Sequence, residues 1–112
     1  MAHTNSAIFN LIECIEEFRK IDPEMPIQRI EVFLTVARSE GITYYEVSER
    51  VDLALSSVNR NIRDLGDMNR KGQRGYGLIE TRPDPVQTKR KACWLTPKGR
   101  RVVRSLASSL GD

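Results

Sequence analysis

Residues 43–65 bring together side chains that could recognise a nucleic acid. Their second half carries short polar groups and guanidinium groups at helical spacing, namely Ser56, Ser57, Asn59, Arg60 and Arg63. The apolar residues between them recur three and four apart and are expected to point into the core: Leu55, Val58, Ile62 and Leu65. Arginine forms paired hydrogen bonds with guanine, and asparagine does so with adenine, in the major groove of DNA. The pattern therefore predicts a helix that could read base edges, with Arg60 or Arg63 preferring guanine and Asn59 adenine.

A short helix must precede and position that one. Thr43 and Glu46 have the spacing of a capping box, in which each side chain satisfies a backbone N–H at the start of a helix. The apolar face that follows consists of Tyr44, Val47 and Val51, and both Tyr44 and Tyr45 are expected to pack rather than bind a ligand. Asp52 tolerates the conformation of a tight turn. Residues 43–65 are thus predicted to form a helix–turn–helix.

This stretch resembles, without a gap, the helix–turn–helix of winged-helix regulators of the MarR type. The family pattern runs roughly Thr-x-x-Glu-Leu-Ala-x-x-Leu-Gly-x-Ser-x-Ser-Thr-Val-Ser-Arg-x-Val-x-x-Leu. Matching or conservatively varied positions are Thr43, Glu46, Val47, Ser48, Val51, Asp52, Ser56, Ser57, Val58, Asn59, Arg60, Ile62 and Leu65. Ala54 departs from the pattern, because the family usually has a serine there that caps the recognition helix. Loss of that cap costs about 1 kcal/mol.

The resemblance implies a strand–turn–strand wing after the helix pair. Residues 77–82 are expected to form its first strand, residues 83–88 its tip and residues 89–95 its return strand, with Cys93 and Leu95 facing inward. In the family the wing lies on the DNA backbone beside the groove, and the matching cations here are Arg82, Lys89, Arg90 and Lys91. The family's acidic-Arg-Arg signature is only partly present, since Asp84 is followed by Gln87 and Thr88.

An insertion separates the helix pair from the wing. The family passes from the position of Leu65 to a Gly-Leu-Ile in about five residues, whereas this chain takes 12 positions to reach Gly77. The insertion, residues 66–76, carries three glycines and three cations: Gly66, Gly72, Gly75, Arg70, Lys71 and Arg74. It could be a basic loop or helical extension that touches phosphate, or a tolerated surface insertion.

Two helices are predicted before the helix pair. Residues 5–20 carry the apolar stripe Ile8, Leu11, Ile12, Ile15 and Phe18. In the family the first helix helps form a dimer; packing on its own domain is the alternative. Residues 26–40 follow, with a core face of Ile27, Ile30, Phe33, Leu34 and Ala37. Gly41 is the expected left-handed stop, and Ile42 could add a very short strand.

A last helix follows the wing. Thr96 is its expected cap and Pro97 its first residue. The family's Leu-Thr-x-x-Gly is complete in residues 95–99. The apolar stripe of this helix is Val102, Val103, Leu106 and Leu110. Any dimer would rest on the first and last helices.

Length and composition favour one domain, and the resemblance implies that it is a winged helix–turn–helix of the α+β class, mainly α with a small β-hairpin wing. In this division of the 112 residues, 1–21 form the N-terminal helix, 26–95 the helix–turn–helix and wing, and 96–110 the C-terminal helix. The net charge of +3 is unevenly divided, with −5 in residues 1–55 and +8 in residues 56–112. Such a split suits a second half that faces a polyanion, although a solvated basic surface is the plain alternative.

Several classes of function find no support. No apolar run approaches the roughly 18 residues of a membrane span, and the N-terminus is no signal peptide, so a cytoplasmic protein is expected. Cys14 and Cys93 form no CxxC pair, are expected to be reduced structural residues, and with the one histidine give no zinc-ligand spacing. No nucleophile–histidine pair and no Gly-rich phosphate loop is present, so neither an enzyme nor a cofactor is expected.

The resemblance implies sequence-specific binding of double-stranded DNA by a homodimeric transcriptional regulator, most simply a repressor that blocks polymerase; the sequence does not decide between repression and activation. Two alternatives stay open: a replication or partition protein of a mobile element, and a winged-helix module that binds another protein.

Overall fold

The computed structural model describes residues 2–67 and 72–111. Within these residues five helices and three strands follow in the order α1 (Ala2–Ile21), α2 (Ile27–Arg38), β1 (Ile42–Thr43), α3 (Tyr44–Val51), α4 (Leu55–Leu65), β2 (Ile79–Pro83), β3 (Lys91–Leu95) and α5 (Pro97–Ser109). This architecture confirms the predicted class, mainly α with a small β-hairpin wing.

The three strands form one antiparallel sheet in the order β1–β3–β2. Cys93 lies at its centre, opposite Ile42 on one side and Thr81 on the other. The short strand predicted at Ile42 is therefore present. The return strand of the hairpin begins at Lys91, two residues later than predicted, because the backbone N–H of Arg90 donates to Gln87 O in the tip turn instead of joining the ladder.

Local sequence signals set the ends of the helices as expected. The Thr43 side chain accepts from the backbone of Glu46, whose own carboxylate accepts from Thr43, completing the capping box. Asp52 ends α3 in the left-handed conformation with φ 55°, and Gly41 has φ 92°. Thr96 caps α5 by accepting from the backbone N–H of Gly99, and Pro97 opens the helix. Ala54 stands before α4 without a side-chain cap.

The core lies where α2, α3 and α4 meet the inner face of the sheet. Phe18 of α1 packs edge-on against Phe33 of α2, with ring centroids 5.9 Å apart. Val58, Ile62 and Leu65 are buried, which confirms the predicted inner face of α4 at these positions.

Some predicted core positions are wrong. Ile27 is 80% exposed and Leu34 is 43% exposed, while Val32 and Val36 fill the core in their place. The apolar residues of α2 cover most of its circumference, so periodicity alone does not choose the face that the sheet and α4 select. The predicted core position of Leu55 is also wrong, because this residue is 47% exposed.

Along α1, Phe18 is the buried member of the predicted stripe. The rest of the stripe faces solvent, together with Phe9: Ile8, Leu11, Ile12 and Ile15. The helix packs on α5, where the Cys14 thiol reaches Leu106 O at 4.0 Å. Cys93 is fully buried, and this burial raises the pKa of its thiol to about 12. In the described parts of the chain, no helix has the length and apolar character needed to cross a bilayer.

Candidate nucleic-acid interface

The outer face of α4 presents the polar residues that the sequence singled out. Ser56, Asn59, Arg60 and Arg63 are all exposed. Ser57 differs from them, because it is partly buried and its carbonyl oxygen accepts a 3.0 Å hydrogen bond from Asn61 Nδ2. Since Val58, Ile62 and Leu65 anchor the opposite face in the core, the helix is held in a fixed rotation with the polar groups outward.

These groups look into a groove of about 950 Å³ between α4 and the hairpin. The helix side of the groove contains Ser56, Asn59, Arg60 and Arg63, and the hairpin side contains Ile79, Glu80, Thr81 and Lys91. Asp67 also lines it. The groove therefore contains hydrogen-bond donors and acceptors as well as both positive and negative side chains. Its guanidinium groups lie on the helix.

The four wing cations do not share one surface. Lys91 lines the groove beside Thr81. Lys89 and Arg90 are exposed in the tip turn. Successive residues of a strand point to opposite faces of the sheet, so the Arg82 side chain lies on the face opposite to that of Thr81. Its guanidinium stacks on the Trp94 ring at 4.0 Å from the centroid and lies 3.8 Å from a Glu80 oxygen.

A smaller pocket of about 380 Å³ lies at the N-terminal end of α4, next to the wing. Its walls combine apolar and basic side chains, namely Thr43, Tyr44, Tyr45, Leu55, Asn59, Lys89, Arg90 and Lys91. Tyr45 is 56% exposed here, so the expectation that it packs into the fold is wrong. The exposure of Leu55 and Tyr45 is not expected from the sequence. One signal was present for Leu55, because it precedes Asn59 by four residues and so shares its helical face.

Solved structures with this arrangement of helices and wing exist, although no protein-family model and no curated protein sequence matches the chain. The PcaV transcriptional regulator from Streptomyces coelicolor, solved with its natural ligand, is 27% identical, covers 79% of this chain and 57% of that chain, and has a TM-score of 0.61. The S. aureus MepR–DNA complex is 17% identical, covers 86% and 71%, and has a TM-score of 0.70. A MarR transcriptional regulator from Methanosarcina mazei Go1 is 14% identical, covers 98% and 72%, and has a TM-score of 0.68.

This chain has the MarR-type winged-helix fold. It spans just over half of the PcaV chain and about seven tenths of the other two.

A polar network holds α4 of this MarR-type winged helix on the side that faces α2. Arg29 of α2 donates to Asp64 Oδ2 at 2.6 Å, to Asn61 Oδ1 at 3.3 Å and to the Tyr76 hydroxyl at 3.1 Å. The Tyr76 hydroxyl in turn donates to the carboxylate of Asp22, between α1 and α2. That hydrogen bond holds the pKa of Asp22 below its usual value, while burial and the same contact raise the pKa of Tyr76.

The described ends of the insertion are fixed by backbone hydrogen bonds. Tyr76 N donates to Asp64 O at 3.0 Å, and Gly75 N donates to Asp67 O at 2.8 Å. Gly75 must be glycine, because a Cβ there would collide with the carbonyl oxygen of Gly66. The helix ends at Leu65, so the helical extension considered from the sequence does not begin at the described residues. Arg70 and Lys71, two of the candidate phosphate contacts in the insertion, lie outside the described residues.

Proposed function

We propose that this chain binds double-stranded DNA in a sequence-specific manner as a homodimeric transcriptional repressor. The outward face of α4 enters the major groove. Arg60 and Arg63 read guanine, Asn59 reads adenine, and Ser56 and Ser57 make the shorter polar contacts.

The observation that carries this proposal is the position of the groove beside α4. An exposed row of polar side chains on α4, namely Ser56, Asn59, Arg60 and Arg63, faces the hairpin across an open groove. The major groove of B-DNA is about 12 Å wide and admits one α-helix. The S. aureus MepR structure, which has this fold, is a complex with DNA.

The wing supplies the cations that neutralise phosphates in this proposal. Lys89, Arg90 and Lys91 lie at or next to the hairpin tip, beside the N-terminal end of α4. Each phosphate contact releases condensed counterions, so binding should weaken steeply as salt rises. Arg82 takes a different part, because its guanidinium is stacked on Trp94 and braces the hairpin from the other face. Of the four wing cations, we assign Arg82 the most indirect contribution to DNA affinity.

The dimer is proposed to form through α1 and the end of α5. Five exposed apolar side chains on α1 make a contiguous stripe, and Leu110 adds an exposed apolar group at the end of α5. Soluble monomers rarely expose a patch of this kind. A twofold axis through it would place two recognition helices on half-sites about 10 base pairs apart, and a dimer seated on a promoter would block polymerase.

The proposal is tested by selecting bound sequences from a pool of random duplex DNA and measuring affinity for the selected site by fluorescence anisotropy. We expect a palindromic site, and a clear loss of preference for it over random duplex in Arg60→Ala. Arg38→Ala is the matched control, because it removes an exposed cation at the C-terminal end of α2 that lines neither the groove nor the small pocket. Selection of no sequence, together with equal weak binding to all duplexes, would overturn sequence-specific recognition. Binding to a protein partner without any DNA binding would favour the interaction-module alternative.

A further inference from the structure

An apolar side chain stands in the row of polar groups that the recognition helix presents. Leu55 is the first residue of α4 and 47% exposed, and it shares the small pocket with Asn59. The rings of Tyr44 and Tyr45 form the other apolar part of the same pocket. A single exposed leucine is ordinary, but Leu55 joins two aromatic rings in one pocket, and a molecule bound there would bury their apolar surface together.

The charge around this pocket indicates what that molecule is. Lys89, Arg90 and Lys91 line it, and its lining includes no carboxylate. A pocket lined by apolar side chains and three cations is suited to an apolar group attached to a polyanion. In the major groove of DNA that group is the 5-methyl of thymine, the one apolar substituent that the bases display there.

The position of Leu55 in the helix agrees with this occupant. In helix–turn–helix proteins the N-terminal residues of the recognition helix reach the base edges. Leu55 lies one turn before Asn59, whose amide matches the hydrogen-bonding edge of adenine. Two residues on one face, one turn apart, can therefore reach neighbouring base pairs.

We propose that Leu55 is a specificity-determining residue that packs on the 5-methyl group of a thymine in each half-site, with Tyr44 and Tyr45 enclosing the contact. The proposal rests on the proposed DNA-binding function and adds a preference that the polar residues do not supply. Leu55 reads an A·T pair by shape, while Asn59 and the arginines read hydrogen bonds.

The test removes the methyl group from the DNA instead of from the protein. The duplex selected by the wild-type protein is resynthesised with deoxyuridine in place of each thymine in turn, which keeps every hydrogen bond and deletes one methyl. We expect one thymine per half-site at which this change weakens wild-type binding about fourfold, the effect of losing one buried methyl contact. In Leu55→Ala, the same change should have no effect at that position, whereas Leu55→Met should retain the dependence.

Leu34→Ala is the matched control, because Leu34 is a leucine of similar exposure on another helix, outside the pocket. It should keep the wild-type response to deoxyuridine. Circular dichroism melts of each variant ensure that the comparison is made between folded proteins.

The outcomes separate this proposal from the one on which it rests. A selected site at which no deoxyuridine weakens binding overturns the role of Leu55 and leaves sequence-specific binding intact. The same holds if Leu55→Ala weakens all duplexes alike and responds to deoxyuridine as the wild type does, since the pocket would then hold sugar and phosphate. If no sequence is selected at all, both proposals fall.

Discussion

The Arg29 guanidinium lies 2.6 Å from the Asp64 carboxylate, and this ion pair joins α2 to the last turn of α4. Both side chains are mostly buried, with 13% and 16% of their surface exposed. The same guanidinium also reaches Asn61 and Tyr76. The rotation of α4 is thus set by its buried apolar face and by this polar cluster in its last two turns.

Replacing Arg29 by glutamine should lower the free energy of unfolding by about 2–3 kcal/mol. The change leaves the Asp64 carboxylate partly buried without its cation, and removing one partner of such a pair costs more than the pair itself contributes. Urea unfolding followed by circular dichroism measures the loss. Arg19→Gln is the control, because the Arg19–Glu16 pair is about half exposed and should contribute less than about 1 kcal/mol. Equal losses in the two variants would show that the Arg29 cluster does not hold α4.

Ala54→Ser should raise the stability of the protein by about 1 kcal/mol. Ala54 precedes α4 in an extended conformation, with φ −58° and ψ 145°, and makes no side-chain cap. A serine hydroxyl there can accept from a free N–H in the first turn. Thermal melts of Ala54→Ser and of Thr43→Ala, which deletes an existing cap, should move in opposite directions. A lower melting temperature for Ala54→Ser would mean that the hydroxyl does not reach the helix.

The features that could be predicted from the sequence are those encoded by neighbouring residues. The capping box at Thr43, the turn at Asp52 and the outward position of Asn59 depend on residues within one or two turns, and all three are present. Leu55 fits the apolar period that predicts burial, yet as the first residue of α4 it lies beside the small pocket and is 47% exposed. The pairing of Arg29 with Asp64 spans 35 residues, and no local pattern records it.

Lowering the pH should destabilise the wild-type protein more than Glu46→Gln. Hydrogen bonds from the Thr43 backbone and then from its side chain hold the pKa of Glu46 below its ordinary value of 4.5. A carboxyl group whose pKa is lower in the folded state stabilises the fold above its unfolded pKa, and that contribution is lost as the pH falls through the folded value. Glutamine keeps the capping box without titrating.

This prediction is measured as the free energy of unfolding in urea between pH 7 and pH 3. The decline below about pH 4.5 should be shallower in Glu46→Gln than in the wild type. Glu49→Gln, an exposed change on the same helix outside the capping box, should keep the wild-type decline. Parallel curves for wild type and Glu46→Gln would show that the ionisation of Glu46 does not contribute to the pH dependence of stability.

Ile12→Asp should convert the proposed dimer to a monomer. Ile12 lies in the middle of the exposed stripe on α1, where a carboxylate buried against the partner's apolar surface would be unpaired. Light scattering after size-exclusion chromatography measures the mass. Val86→Asp places the same charge on another exposed apolar residue, at the wing tip, and should leave the mass unchanged. A wild-type protein that is monomeric at tens of micromolar would contradict the assignment of α1 to an interface.

Arg60→Ala and Lys89→Ala should weaken DNA binding in different ways, because one side chain is assigned to a base and the other to a phosphate. Arg60 lies in the groove on the outer face of α4, whereas Lys89 lies at the wing tip beside the smaller pocket. Losing a bidentate contact to guanine removes about 1–3 kcal/mol of discrimination at that position, so Arg60→Ala should bind the selected site and a variant with that base pair changed almost equally. Lys89→Ala should weaken both duplexes by the same factor and make the slope of log affinity against log salt shallower by about 0.9. Anisotropy titrations at four salt concentrations give both quantities. If Arg60→Ala keeps its preference and instead flattens the salt slope, its guanidinium contacts phosphate, and the reading of guanine passes to Arg63.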